Sequence, residues 1–127
     1  MKNGSNILVV DDDQDIGTML KMMLEYKGYD VTVINRADQT YQILSSNKID
    51  LVILDMLIAD IYGTDVCIQL RKNTATAHLP VIMISALPDA RQDCIMAGAN
   101  DFISKPFEMQ EILSMVRSYI GEDKNSL

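Results

Sequence analysis

LVILD at 51–55 decides the fold. Four apolar residues run without a break into a single aspartate. A run this short suits a strand buried on both faces, as in a parallel sheet covered by helices. Two further runs match it, ILVV at 7–10 and VIMI at 81–84. VTVI at 31–34 is interrupted by Thr32 and reads as a strand nearer an edge, and the weakest strand lies around Phe102 and Ile103.

Helical periodicity fills the spaces between these runs. Ile16, Met19, Leu20, Met23 and Leu24 line one helix face, with Gly28 placed to end the helix. Met109, Ile112, Leu113, Val116 and Ile120 repeat the pattern ahead of Gly121. The methionines on these faces read as core filling rather than a partner-binding stripe. Segments 37–46 and 64–72 read as helices too, and 88–97, poorer in large apolar residues, as the most loosely attached one. Strand and helix alternate five times. That order predicts an α/β, flavodoxin-like three-layer sandwich, with a five-stranded parallel sheet in the order 2-1-3-4-5 flanked by five helices.

The chain of 127 residues has the size of one domain, 1–127 with a core over about 5–121. Its 48% hydrophobic content is that of a globular protein. A formal charge of −7 without any Lys/Arg cluster argues against direct binding of nucleic acid or an anionic membrane. Cys67 and Cys94 lie far apart and read as reduced packing residues, and His78, the only histidine, as a solvated loop residue. No signal peptide or membrane span is evident, so a cytoplasmic location is expected, with 1–6 and 121–127 as short solvated tails.

Function is written at the strand ends. The first run leads into Asp11, Asp12 and Asp13, the third into Asp55, the fourth into Ser85 and Ala86, and the weak fifth into Lys105 and Pro106. In a parallel sheet these ends share one edge, where ligands collect. Crowded carboxylates disfavour each other's ionisation unless a cation compensates, and hard oxygen ligands at a wet edge suit Mg²⁺. A carboxylate beside Mg²⁺ can serve as a nucleophile toward phosphorus. Taken singly, each residue has a plainer role: Asp13 as the N-cap of the first helix, Asp11 and Asp12 as a turn, Ser85 as a strand-end hydroxyl, Lys105 as a surface charge. Their placement at the ends of four strands is what points to chemistry.

Here the chain resembles the receiver domains of bacterial two-component signalling. ILVVDDD at 7–13, LVILDMLIADIYG at 51–63, VIMISA at 81–86 and AGANDFISKPF at 97–107 are similar to the family's four motifs, in order and at family-like spacing. The resemblance implies that Asp55 is the phosphoacceptor. It implies that Asp11, Asp12, Asp55 and the backbone carbonyl of Leu57 hold Mg²⁺, with Asp11 acting directly or through a water. Ser85, Ala86 and Lys105 would bind the phosphoryl group, and Phe102 would be a switch aromatic. Gly63 and a cis bond between Lys105 and Pro106 would be structural.

It further implies a histidine kinase or histidine phosphotransfer protein as donor. A downstream protein or fused output domain would read the α4-β5-α5 face, and the domain would be a monomer or a phosphorylation-dependent dimer. Such a domain is not an enzyme in the ordinary sense, although it assists its own phosphoryl transfer and slow dephosphorylation.

Two positions depart from the family pattern. Ala59 stands where a proline is usual, which should loosen that loop, and Ser85 stands where threonine is commoner. In the family, the positions two after the phosphoacceptor and two after the hydroxyl residue flank the path of a hydrolytic water. Here they are Leu57 and Leu87, which cannot hydrogen-bond it, so the resemblance implies slow dephosphorylation; the plainer reading is a docking surface for the partner. Three other readings compete. Asp11 and Asp13 mimic the D-x-D pair of an aspartate-nucleophile phosphohydrolase. The same strand order carries flavin in other proteins, but three aspartates would repel its phosphate. A docking module with a degenerate site would not need the residues retained here.

Overall fold

The strands form because each core run alternates its side chains between two helical layers. The computed structural model describes residues 5–121, so 1–4 and 122–127 of the tails expected at 1–6 and 121–127 lie outside the described residues. In chain order the elements are β1 (Asn6–Val10), α1 (Gln14–Tyr26), β2 (Asp30–Ile34), α2 (Gln39–Ser46), β3 (Leu51–Asp55), α3 (Gly63–Lys72), β4 (Val81–Ser85), α4 (Arg91–Met96), β5 (Asp101–Ser104) and α5 (Met109–Ile120). Leu57–Ile58 and Ile61–Tyr62 pair as a short antiparallel hairpin between β3 and α3.

The five main strands make one parallel sheet in the order β2-β1-β3-β4-β5, which is the expected topology. Leu8, Val10, Val52, Leu54, Val81 and Met83 point to a core that also takes in Val66, Cys67 and Leu70 of α3 and Cys94 of α4. Ile7, Val9, Leu51, Ile53, Ile82 and Ile84 point to a second core with Leu20 and Leu24 of α1 and Ile112 and Val116 of α5. Complete burial of one such side chain contributes about 1.5–3 kcal/mol, so the central strands anchor both layers. Both cysteines are free and buried, and burial raises both thiols, Cys94 to about 11, so they stay protonated packing residues.

Local chemistry sets the helix ends. The Asp13 carboxylate accepts from the Asp15 and Ile16 N–H groups (3.0 and 3.3 Å) and caps α1 as the sequence implies. At its other end Gly28, at φ +100°, permits the paired turn in which Tyr29 N–H reaches Leu24 O and Gly28 N–H reaches Glu25 O.

Three boundaries differ from expectation. Asn6 opens β1 instead of ending a tail, since its N–H donates to the Asp50 carboxylate at 2.8 Å. Helix α2 starts at Gln39, after a turn from Arg36. Helix α4 covers only 91–96, because residues 87–90 close a turn ahead of it, with Ala90 N–H on Leu87 O at 3.3 Å. Among the methionines expected in the core, Met23 is buried but Met109 is half exposed at the start of α5. Among the described residues no helix is long and apolar enough to cross a membrane.

Candidate functional site

Register brings the strand ends together. Val10 is level with Leu54 in β1 and β3, Asp55 with Ile84 in β3 and β4, and Ser85 with Ser104 in β4 and β5. The ladder continues past the strands: Asp11 N–H donates to Ile34 O at 3.1 Å, Met56 N–H to Ile84 O at 2.8 Å and Lys105 N–H to Ser85 O at 2.7 Å. Backbone pairing thereby fixes the directions of Asp11, Asp55 and Lys105.

Ligand oxygens of Asp11, Asp12 and Asp55 lie within 4.8 Å of one another. Asp11 is 1% exposed and Asp55 6%, while Asp12 is open to solvent. The Lys105 ammonium bridges the two buried carboxylates, 3.2 Å from Asp55 and 3.5 Å from Asp11. Burial alone would lower the Lys105 ammonium, but the two carboxylates outweigh it and hold it above its usual value. Burial raises Asp11 to about 6, with the Asp55 charge adding to the rise and the Asp13 N–H opposing it. That N–H reaches Asp11 Oδ1 at 2.8 Å, whereas the buried Oδ2 has no hydrogen-bond partner. Three crowded carboxylates with a single ammonium between them keep a net negative charge that a small hard cation fits.

The other candidates surround this cluster. Ser85 is buried, and its Oγ accepts from Leu87 N–H at 3.0 Å, leaving the hydroxyl proton free to turn elsewhere. Ala86 and Leu87 are exposed on the loop that follows β4. Phe102 is 8% exposed, in the core shared with α3 and α4. The Lys105–Pro106 peptide is cis. Gly63 follows from close approach: a Cβ there would collide with the Asp55 backbone carbonyl oxygen. Leu57 is half exposed and pairs with Tyr62 in the hairpin.

The D-x-D reading is not met, because Asp13 spends its carboxylate on the α1 cap and the third acid in the cluster is Asp55. Ala59 takes φ +57° at the hairpin tip and donates its N–H to Asp12 Oδ2 at 2.7 Å. Proline has no such N–H and cannot adopt that angle. No residue pattern announces this donor, since it belongs to the backbone. Nor does any pattern single out Arg71, whose guanidinium binds Gly98 O, Leu79 O and the Asn100 side chain at 2.7–2.8 Å and ties α3 to the loop before β5.

A family model described as the response regulator receiver domain matches residues 7–117. The chain belongs to that family. Receiver domains are signalling domains of two-component systems, and the fold agrees with solved receivers. A Chloroflexus aurantiacus protein assigned to the response regulators superposes with a TM-score of 0.89 at 33% identity, over 94% of this receiver and 100% of that chain. The receiver domain of a sensor histidine kinase from Pseudomonas aeruginosa, with magnesium coordinated in its active-site cleft, gives 0.84 at 27% identity, over 94% and 99%. The DNA-binding response regulator MtrA of Mycolicibacterium smegmatis is 34% identical over 122 residues, 94% of this receiver and 52% of MtrA. This receiver spans about half the length of the curated relatives it matches.

Proposed function

We propose that this receiver accepts a phosphoryl group on Asp55 in a Mg²⁺-dependent reaction and passes the change to its α4-β5-α5 face. The observation that carries the reading is the pairing of Asp55 with Lys105 inside a trio of carboxylates that this one ammonium leaves net negative. Asp11, Asp12, Asp55 and the carbonyl of Leu57 are the residues that would hold Mg²⁺. Bound there, the ion neutralises negative charge on the phosphoryl oxygens.

An Asp55 carboxylate oxygen attacks the phosphorus of a phosphohistidine. The new O–P bond forms as the P–N bond breaks, and the imidazole keeps the electron pair. Lys105 then turns its charge from the two carboxylates to the phosphate, Ser85 donates its free hydroxyl proton to a phosphoryl oxygen with Ala86 beside it, and Phe102 repacks as Ser85 moves. Leu57 and Leu87, 50% and 58% exposed at the rim, deny a hydrolytic water a partner and lengthen the lifetime of the acyl phosphate.

The donor in this reading is a cytoplasmic histidine kinase or phosphotransfer protein. A groove between α1 and α5, lined by Met19, Met22, Tyr26, Met109 and Leu113, offers it an apolar seat, in which the half-exposed Met109 serves as partner surface and not as the core filling expected of it. An output domain or separate protein receives the signal, as the greater length of the relatives suggests.

The test is incubation with acetyl phosphate and Mg²⁺, followed by intact mass. Wild type should gain one phosphoryl group, lose the gain on chelation, and show none as Asp55→Asn. A full equivalent on Asp55→Asn would overturn the assignment.

A further inference from the structure

Ala59 is the one non-glycine residue with positive φ among the described residues. An alanine persists in that region only where its surroundings fix it. Two contacts do so. Its neighbour Ile58 is 1% exposed and pairs with Ile61 across the hairpin. Its own N–H donates to Asp12 Oδ2 at 2.7 Å, 47 residues away in sequence. No other hydrogen bond reaches the Asp12 carboxylate among the described residues.

Asp12 needs such a tether. It is solvent-exposed, and like charges on Asp11 and Asp55 would drive an untethered carboxylate out into water. The backbone dipole at Ala59 opposes this, and it engages one carboxylate oxygen while leaving the other without a hydrogen-bond partner.

We propose that the Ala59 N–H is a positioning group for the cation site: it holds Asp12 beside Asp11 and Asp55 before a cation arrives, so that the trio is preorganised. This rests on reading the trio as a Mg²⁺ site. By linkage, whatever strengthens the hairpin tip strengthens cation binding, and the reverse. The N–H is needed and the methyl is not. Glycine keeps both the donor and the torsion; proline abolishes both.

The experiment is Mg²⁺ titration of wild type, Ala59→Gly and Ala59→Pro by calorimetry, with circular dichroism to check folding. Glycine should bind within about twofold of wild type, and proline about tenfold more weakly, as loss of a charge-assisted hydrogen bond implies. Wild-type affinity in a folded Ala59→Pro overturns the proposal. Hydrogen exchange at the Ala59 amide of metal-free wild type is independent of any variant: protection is expected, and exchange at the unstructured rate overturns the proposal. Absence of Mg²⁺ binding by wild type would instead strike down the site reading, and this inference with it.

Discussion

The torsion at Ala59 carries a cost that glycine would not incur. A side chain at positive φ is disfavoured by about 1 kcal/mol, so Ala59→Gly should raise stability by roughly that amount, seen as a higher urea midpoint at unchanged slope. The same rim holds Leu57 and Leu87, whose exposed side chains offer no hydrogen bond to water. Leu57→Asn and Leu87→Glu should each speed decay of the acyl phosphate several-fold, followed by phosphate release. Unchanged or slower decay in both would mean that these leucines serve only as contact surface. The acids and Lys105 were legible in the sequence because charged residues directly after apolar runs stand out. The Ala59 donor was not, since a backbone torsion has no residue code.

At the level of elements, β1, β3 and β4 were legible from runs that burial on both faces demands. The 57–62 hairpin was hidden: its arms are two residues each, and its tip holds Ala59 and Asp60 where a glycine would announce the turn. Helix α4 begins at Arg91, three residues after the expected start at 88, because residues 87–90 close a turn, which no residue pattern announces. Arg71 joins α3 to the segment after α4, and Tyr119 of α5 donates to Asn100 O and Asp101 Oδ2 at 2.9 and 3.1 Å. Charge-assisted bonds of this kind contribute about 1.5–3 kcal/mol each, with strong overlap among them. Arg71→Met should therefore destabilise the fold by about 3 kcal/mol in urea unfolding. Arg71→Lys should fail to restore it, because an ammonium cannot span the fork. Tyr119→Phe should loosen the α5–β5 contact by about 1 kcal/mol, read as faster amide exchange in β5.

Across the whole molecule, the sheet links one acidic edge to one sparsely anchored helix. Of α4 only Cys94 is buried within the helix, while Ile95 and Met96 face outward. An element so lightly held is the one whose equilibrium a new hydrogen bond at Ser85 can shift. Beryllofluoride, standing in for the phosphoryl group, should move amide resonances in α4, β5 and α5 as well as around Asp12 and Asp55; shifts confined to the loops would end the switch reading. Before any switching, the central claim is that an acyl phosphate forms on Asp55. Borohydride reduces an acyl phosphate on aspartate to homoserine, marking the residue in place. After reaction with acetyl phosphate and Mg²⁺, peptide mass analysis should find homoserine at position 55 and nowhere else, and none once the metal is chelated. Homoserine at position 11 or 12, or a phosphorylated protein that yields none, would contradict the assignment.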